Sequence, residues 1–243
     1  GLHGAGLGHA LLDAAEAYAI AAGAVRLVLW SDTRFDRAHR FYEKRSYVRS
    51  GPVRVLDDIS NSLEYEYGKP VDGIEVLDAA AAESAIRRLS DILIACVAGG
   101  AGVSFLHPLA PEAARAFWRE TARDVANGRK LLLAAWSRGV LAGTVTLVPA
   151  GPQNQPHRAD VAKLLVDPAA RRRGLARGLM ARLEREALAS GKWHLMLDTQ
   201  AEGAARRLYA DMGWTELGAV PDFALRFGGG YEATVFFYKR LRA

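Results

Sequence analysis

A single cysteine, Cys96, stands in 243 residues, so there is no disulfide framework to read. It lies in the apolar run ILIACVA and is expected to be a small core residue in a reducing, cytoplasmic setting. No stretch approaches 18 consecutive apolar residues, and no charged start leads into an apolar segment with a small-residue cleavage site. No membrane span or secretory leader is therefore expected. The six histidines fall at no metal-ligand spacing, which predicts no metal. Net charge is +5, yet the few aromatics (9%) do not interleave with basic residues and no nucleic-acid motif is found, so no nucleic-acid partner is expected.

What is present is half hydrophobic and 24% charged, with both signs interspersed, as in a soluble globular protein. A chain of this length buries roughly 70% of its unfolded surface and needs no staple to fold. The basic residues are uneven: Arg171, Arg172, Arg173, Arg177, Arg182 and Arg185 fall within fifteen positions. Such a cluster suggests a local anion site.

Two segments resemble each other. GAGLGHALLDAAEAYAIAAGAVRLVLWSDTRFDRAHRFYEKRSYV, from Gly4, aligns with RRGLARGLMARLEREALASGKWHLMLDTQAEGAARRLYADMGWTEL, from Arg172, with about one residue of slippage. Each reads as a glycine-bearing loop, a helix, an apolar strand, a polar turn, a short helix ending in Phe-Tyr or Leu-Tyr, and a further strand. Upstream of the second copy the pattern predicts a strand at 74–78 and a helix carrying Ile86, Leu89, Leu93 and Val97. A second helix follows from Pro111, then a hairpin over 130–148 turning at Arg138-Gly139, and a strand over 159–167. Strands at 193–198 and 233–241 flank a helix near 203–212. The first copy holds only the later elements, ending at SLEYEYG (62–68), and 68–73 reads as a linker. The expected layout is a partial domain over 1–68, a linker at 69–73 and a complete domain over 74–243.

The chemistry concentrates where a strand meets a helix, at Arg171-Arg172-Arg173-Gly174-Leu175-Ala176-Arg177. At such a junction several backbone N–H groups lack intrahelical partners and the helix dipole favours an anion. Small residues at 174 and 176 admit a pyrophosphate close to the backbone, each charge-assisted hydrogen bond contributing about 1.5–3 kcal/mol. Neither the dinucleotide fingerprint nor a P-loop fits: in Gly4-Ala5-Gly6-Leu7-Gly8-His9 the third glycine is misplaced, and no Gly-Lys-Ser/Thr follows. A tight turn beside a solvated arginine face would equally produce these residues.

The strand ending in LLVDP, the R-x-x-G-x-A loop opening a helix, an apolar strand and A-x-x-L-Y-x-x-x-G-W together resemble the GNAT superfamily of N-acetyltransferases. The resemblance covers residues 74–243. It implies the α/β (α+β) acyl-CoA N-acyltransferase fold, a mixed central sheet with helices on both faces, and acetyl-CoA bound by its pyrophosphate at the loop of Arg171, Arg172, Arg173, Gly174, Leu175, Ala176 and Arg177. NQPHRADVAKLLVDPAARRRGLARGLM and LDTQAEGAARRLYADMGW further resemble the tabtoxin-resistance acetyltransferase group, which implies a small amino-acid-like or antibiotic-like amine as acceptor.

Acetyl transfer needs a neutral amine, and a lysine-like amine costs about 4–5 kcal/mol to deprotonate at pH 7. A base must help, and an acid that protonates the leaving thiolate adds typically about 10²- to 10⁴-fold. The resemblance implies Tyr209 as that acid and Asp198, at the end of WHLMLD, as the base; Asp160 is a second candidate, at a position where many relatives order a water. A core tyrosine, a turn-capping aspartate and an arginine-paired aspartate are the structural alternatives. Leu165 and Val166 are expected to offer backbone groups to the pantetheine arm, with a plain core role as the alternative, and His157 and Arg158 to line the acceptor pocket, with an exposed loop as the alternative. Phe105, Trp118 and Trp193 are expected to pack. A protein N-terminus or lysine as acceptor, or an acyl-CoA sensor without turnover, are the competing readings, and a homodimer is left open.

The front copy keeps Tyr42 opposite Tyr209 but has His3 where the loop pattern wants Arg or Gln, Ser31 opposite Asp198 and Ser46 opposite Gly213. It also has no strand before its loop. Either the chain continues upstream of Gly1, or this copy does not bind acetyl-CoA by itself and instead covers a sheet edge.

Overall fold

The computed structural model describes residues 6–22, 24–57, 59, 61–226 and 228–241. They fall into two compact units, one ending at Gly73 and including the hairpin tip Trp136–Leu141, the other comprising Ile74–Ala135 and Ala142–Ala243. The expected front loop at His3 and Gly4 lies outside the described residues.

In the first unit, α1 (Leu7–Ala21), β1 (Arg26–Asp32), α2 (Asp36–Lys44), β2 (Val48–Val55) and β3 (Leu63–Pro70) follow in order. The strands form an antiparallel sheet ordered β1-β3-β2. Between β1 and α2 the Asp32 carboxylate accepts from the Arg34 backbone N–H at 2.9 Å and from its guanidinium, closing the turn as an Asx motif. The guanidinium holds the Asp32 carboxyl down at about 2. The interior is aromatic: Tyr47 and Tyr67 are almost fully buried, with Tyr42 and His39 against them. The segment expected to be a linker is shorter than that reading: Gly68, Lys69 and Pro70 complete β3, because Gly68 and Lys69 pair with Val28 and Leu27.

The second unit runs β4 (Gly73–Leu77), α3 (Ala79–Ala98), α4 (Pro111–Ala126), β5 (Leu131–Ser137), β6 (Val140–Pro149), β7 (Arg158–Val166), α5 (Leu175–Ala189), β8 (His194–Gln200), α6 (Ala204–Asp211), β9 (Thr215–Leu225) and β10 (Tyr231–Arg240). Every element expected from the periodicity is present in the expected order. Asp78 caps α3 by accepting from the Ala81 N–H at 2.8 Å, and Pro111 opens α4 where a missing N–H costs nothing. The turn falls at Arg138 and Gly139, both in the left-handed region.

Seven strands form one mixed sheet ordered β4-β5-β6-β7-β8-β10-β9. β7 and β8 are parallel, whereas β6 with β7, β8 with β10 and β10 with β9 are antiparallel. One core joins Leu133, Val145, Leu147 and Val161 to Leu179, Met180 and Leu183 of α5 and Tyr209 of α6. Leu132 and Ala134 alternate to the opposite face and are equally buried, and α3, packed on β7 and α4, covers that side. Among the described residues no helix is long and apolar enough to cross a membrane.

Candidate active site

The sheet opens between β7 and β8. Their parallel ladder consists of Arg158 with His194, Ala159 with Leu195 and Asp160 with Met196, after which both strands run on unpaired with each other, to Val166 and Gln200. The divergence coincides with a bulge in β7. Thr146 of β6 faces Ala162, but Thr144 faces Leu165, so three steps of β7 answer two of β6. Lys163 absorbs the extra residue at φ +54°, a conformation that a non-glycine residue adopts only at a cost. Leu165 is buried and turns its carbonyl to β6, where a Cβ on Gly143 would stand 2.9 Å away. The Val166 carbonyl accepts from the Cys96 thiol and the Arg171 guanidinium, both at 3.5 Å.

At the same end of β7 the chain turns through Arg171–Gly174 into α5. Gly174 is left-handed at φ +78°, and a Cβ there would meet nothing within 4 Å, so the glycine answers to backbone conformation and leaves open space above the turn. The first intrahelical bond runs from the Gly178 N–H to the Gly174 carbonyl at 2.9 Å. The N–H groups of Leu175, Ala176 and Arg177 precede it and no side chain caps them. Arg172 and Arg173 are exposed and form no ion pair with a described carboxylate, while Arg177 stands 3.7 Å from Asp211. Asp167 fixes the approach: it accepts from the Ala169 N–H at 2.9 Å and from Arg88 of α3. Burial works against the Asp167 charge, but these bonds outweigh it and hold the carboxyl below the usual aspartate range.

Beside the opening, on β8, Leu195 and Leu197 enter the α5 core, so Met196, Asp198 and Gln200 face the α3 side. Asp198 is exposed into a cavity of about 310 Å³ lined also by Ser104, Phe105, Gln200, Phe223 and Glu232. A second cavity of about 440 Å³ adjoins it, sharing Phe105, Gln200, Leu225 and Glu232. Gln200 ties the floor together, donating to Glu232 at 2.9 Å and to the Gly100 carbonyl at 3.2 Å.

Tyr209 sits on α6 with its ring buried between Trp214 and Phe237. Its hydroxyl has no hydrogen-bond partner among the described residues. Burial pushes its pKa above the ordinary tyrosine range, and the nearby negative charge of Asp198 adds to the rise. The phenol therefore holds its proton at neutral pH, and the two residues that the sequence singled out sense each other.

Other expected residues lie elsewhere. Asp160 is bonded to the Arg158 guanidinium at 2.6 Å, the arginine-paired alternative for that aspartate. His157 does not reach the cavity: it stacks on Trp193 at 4.5 Å, at the start of β7, four residues of β8 away from Asp198. Trp118 and Trp193 pack as expected, but Phe105 forms part of the cavity wall. Gln200, Glu232 and the α3–α4 loop were missed by sequence reasoning, because a loop of GAGVSFLHP carries no spacing that marks a lining role.

The fold has known relatives. The model of the acetyltransferase (GNAT) family matches residues 1–47 and 101–214. The yncA protein of Salmonella typhimurium, solved with its cofactor acetyl-CoA, is 21% identical, with a TM-score of 0.59 over 71% of this chain and 95% of that one. A ribosomal-protein-alanine N-acetyltransferase from Brucella melitensis is 23% identical, with a TM-score of 0.58 over 69% and 99%. An aminoglycoside 6'-acetyltransferase type Ii is 18% identical, with a TM-score of 0.53 over 70% and 97%. With a bulged strand, a splayed sheet and an anion-ready helix terminus in a chain whose family model matches well over half its length, the protein belongs to the GNAT family of N-acetyltransferases.

Proposed function

We propose that the second unit transfers the acetyl group of acetyl-CoA to a primary amine of a small molecule. The observation that carries this reading is convergence: the uncapped N–H groups of Leu175–Arg177, the opening between β7 and β8, Asp198, Tyr209 and the cavity all lie at the C-terminal ends of β7 and β8. The residues fit coenzyme A. Three uncapped N–H groups, a left-handed Gly174 with open space above it and the guanidinium groups of Arg172 and Arg173, which no described carboxylate pairs, suit a pyrophosphate. Bound there, the cofactor supplies an activated thioester and a thiolate leaving group.

The chain's own residues then divide the proton work. Asp198, exposed into the cavity, takes a proton from the incoming ammonium directly or through one water, and Tyr209, whose phenol stays protonated, gives one to the departing sulfur. Val166, on the open side of β7, faces the pantetheine arm, and Arg171 braces its carbonyl. Asp160, neutralised by Arg158, is left with a structural role. The two fold relatives named for a ribosomal protein and for an aminoglycoside show that the fold itself does not choose the acceptor. The paired cavities, walled by Phe105, Leu106 and Phe223, favour a small molecule over a folded protein tail. A likeness to the tabtoxin-resistance group supports the same choice.

Residues up to Gly68 are, in this reading, a second and partial copy. The family model matches 1–47, and β1-β3-β2 repeats the order of β8-β10-β9. A panel of primary amines with acetyl-CoA, followed by release of free thiol, tests the activity. Turnover lost in Asp198→Asn with acetyl-CoA binding retained is the expected result, and no turnover by the parent protein on any amine would remove the reading.

A further inference from the structure

Lys163 is the anomaly of β7, beside the cleft. Its backbone is held at φ +54° by the β7 bulge, and its side chain is carried toward the α3–α4 loop. The ammonium donates to the Ser104 hydroxyl at 3.3 Å and lies 5.4 Å from the Phe117 ring centre and 5.9 Å from that of Phe105. No described carboxylate lies within ion-pair distance of it. Burial draws its pKa down; Asp198, across the opening on β8, pulls the other way. Lys130, the other cation that influences it, is already matched by Asp124 at 2.8 Å. A half-buried cation on a strained backbone with only a hydroxyl and two ring faces for company is costly, and the cost points to a partner that arrives with a ligand.

Ser104 and Phe105, which hold the ammonium, line the same cavity as Asp198. We propose that Lys163 is a specificity-determining residue that binds a carboxylate of the acceptor, so that the cleft selects an amino-acid-like zwitterion whose amine is directed at Asp198. The proposal rests on the acceptor cleft assigned above and deepens it. Lys163 neutralises one end of the acceptor and the Asp198 carboxylate attracts the other, so a molecule with both charges gains at both ends. Glu232, which accepts from Gln200 at 2.9 Å and lies 3.8 Å from Arg226, lines the same cavity.

The test uses matched acceptors differing only in carboxylate against carboxamide, drawn from α-, β- and ω-amino acids, in thiol-release assays and in calorimetric binding with coenzyme A present. The parent protein should prefer the carboxylate member by about tenfold or more in kcat/KM, the preference residing in KM. Lys163→Met should reduce that ratio to about one, Lys163→Arg should restore part of it, and acetyl-CoA titration of each variant reports that it is folded. Equal treatment of the two members by the parent protein, or an unchanged preference in Lys163→Met, overturns the proposal. If no acceptor is acetylated yet carboxylates bind in a Lys163-dependent way, the carboxylate site stands and the transferase reading of this cleft falls.

Discussion

In residues 7–70 and again in 175–240 a helix, a strand, a helix and two strands build three antiparallel strands with the last in the middle, β1-β3-β2 and β8-β10-β9. The likeness extends to single contacts. The Tyr42 carbonyl accepts from the Tyr47 N–H at 3.1 Å, and the Tyr209 carbonyl from the Trp214 N–H at 3.0 Å. Tyr42 lies 5.9 Å from the Tyr67 ring and Tyr209 5.8 Å from Phe237. Tyr67 pairs with Leu29 as Phe237 pairs with Leu197, so the residue at the register position of Asp198 is Trp30, one place before the Ser31 that matches it in sequence. Trp30 lies under the Arg54 guanidinium at 3.9 Å. The tyrosine at this position packs against an aromatic ring in both places, and what differs is the strand residue at the register position of Asp198: a carboxylate in one, an indole in the other.

The comparison breaks most sharply at the tyrosines. Tyr209→Phe should lower kcat by about 10²-fold or more with acetyl-CoA binding retained, while Tyr42→Phe leaves turnover alone; equal losses in a steady-state assay would mean that both tyrosines act through packing. In the parent protein, burial raises the folded pKa of Tyr209, so its proton is lost only above the usual tyrosine value. The kcat profile should then show no alkaline decline from this group up to pH about 10. Next in size, replacing Arg172 and Arg173 together by Ala should raise KM for acetyl-CoA about tenfold with little change in kcat, and the effect should shrink as salt is added. The smallest effect concerns backbone. Ser46 adopts φ +65° where its counterpart Gly213 adopts +75°. Ser46→Gly should therefore stabilise the first unit by about 1 kcal/mol, and Gly213→Ser, with nothing within 4 Å of its added Cβ, should destabilise the second by a similar amount, both read as shifts in denaturant midpoint.

The order of elements was legible because apolar spacing, Pro111, Asp78 and the turn at Arg138-Gly139 are local signals. The turn into α5 at Gly174 was legible for the same reason, a glycine and arginines packed into seven positions. Cleft walls were not, since Phe105 and Glu232 are more than a hundred residues apart and meet only through the sheet. The bulge at Lys163 was hidden too: ADVAKLLVD reads as an ordinary strand, and only the register against β6 shows the extra residue. The place of His157 was not legible either: NQPHRAD reads as a loop that could reach a pocket, and only the parallel start of β7 shows it stacked on Trp193.

The three-pair ladder between β7 and β8 has a consequence for how such a protein can be assembled. A sheet joined through so few rungs can be parted there with little backbone left stranded, since β8, β10 and β9 keep their antiparallel ladders among themselves. The sheet of β1, β3 and β2 is a three-stranded piece of just that make. On the reading proposed above, the seam that would take the cofactor is also the line across which β8, β10 and β9 hold together without β7.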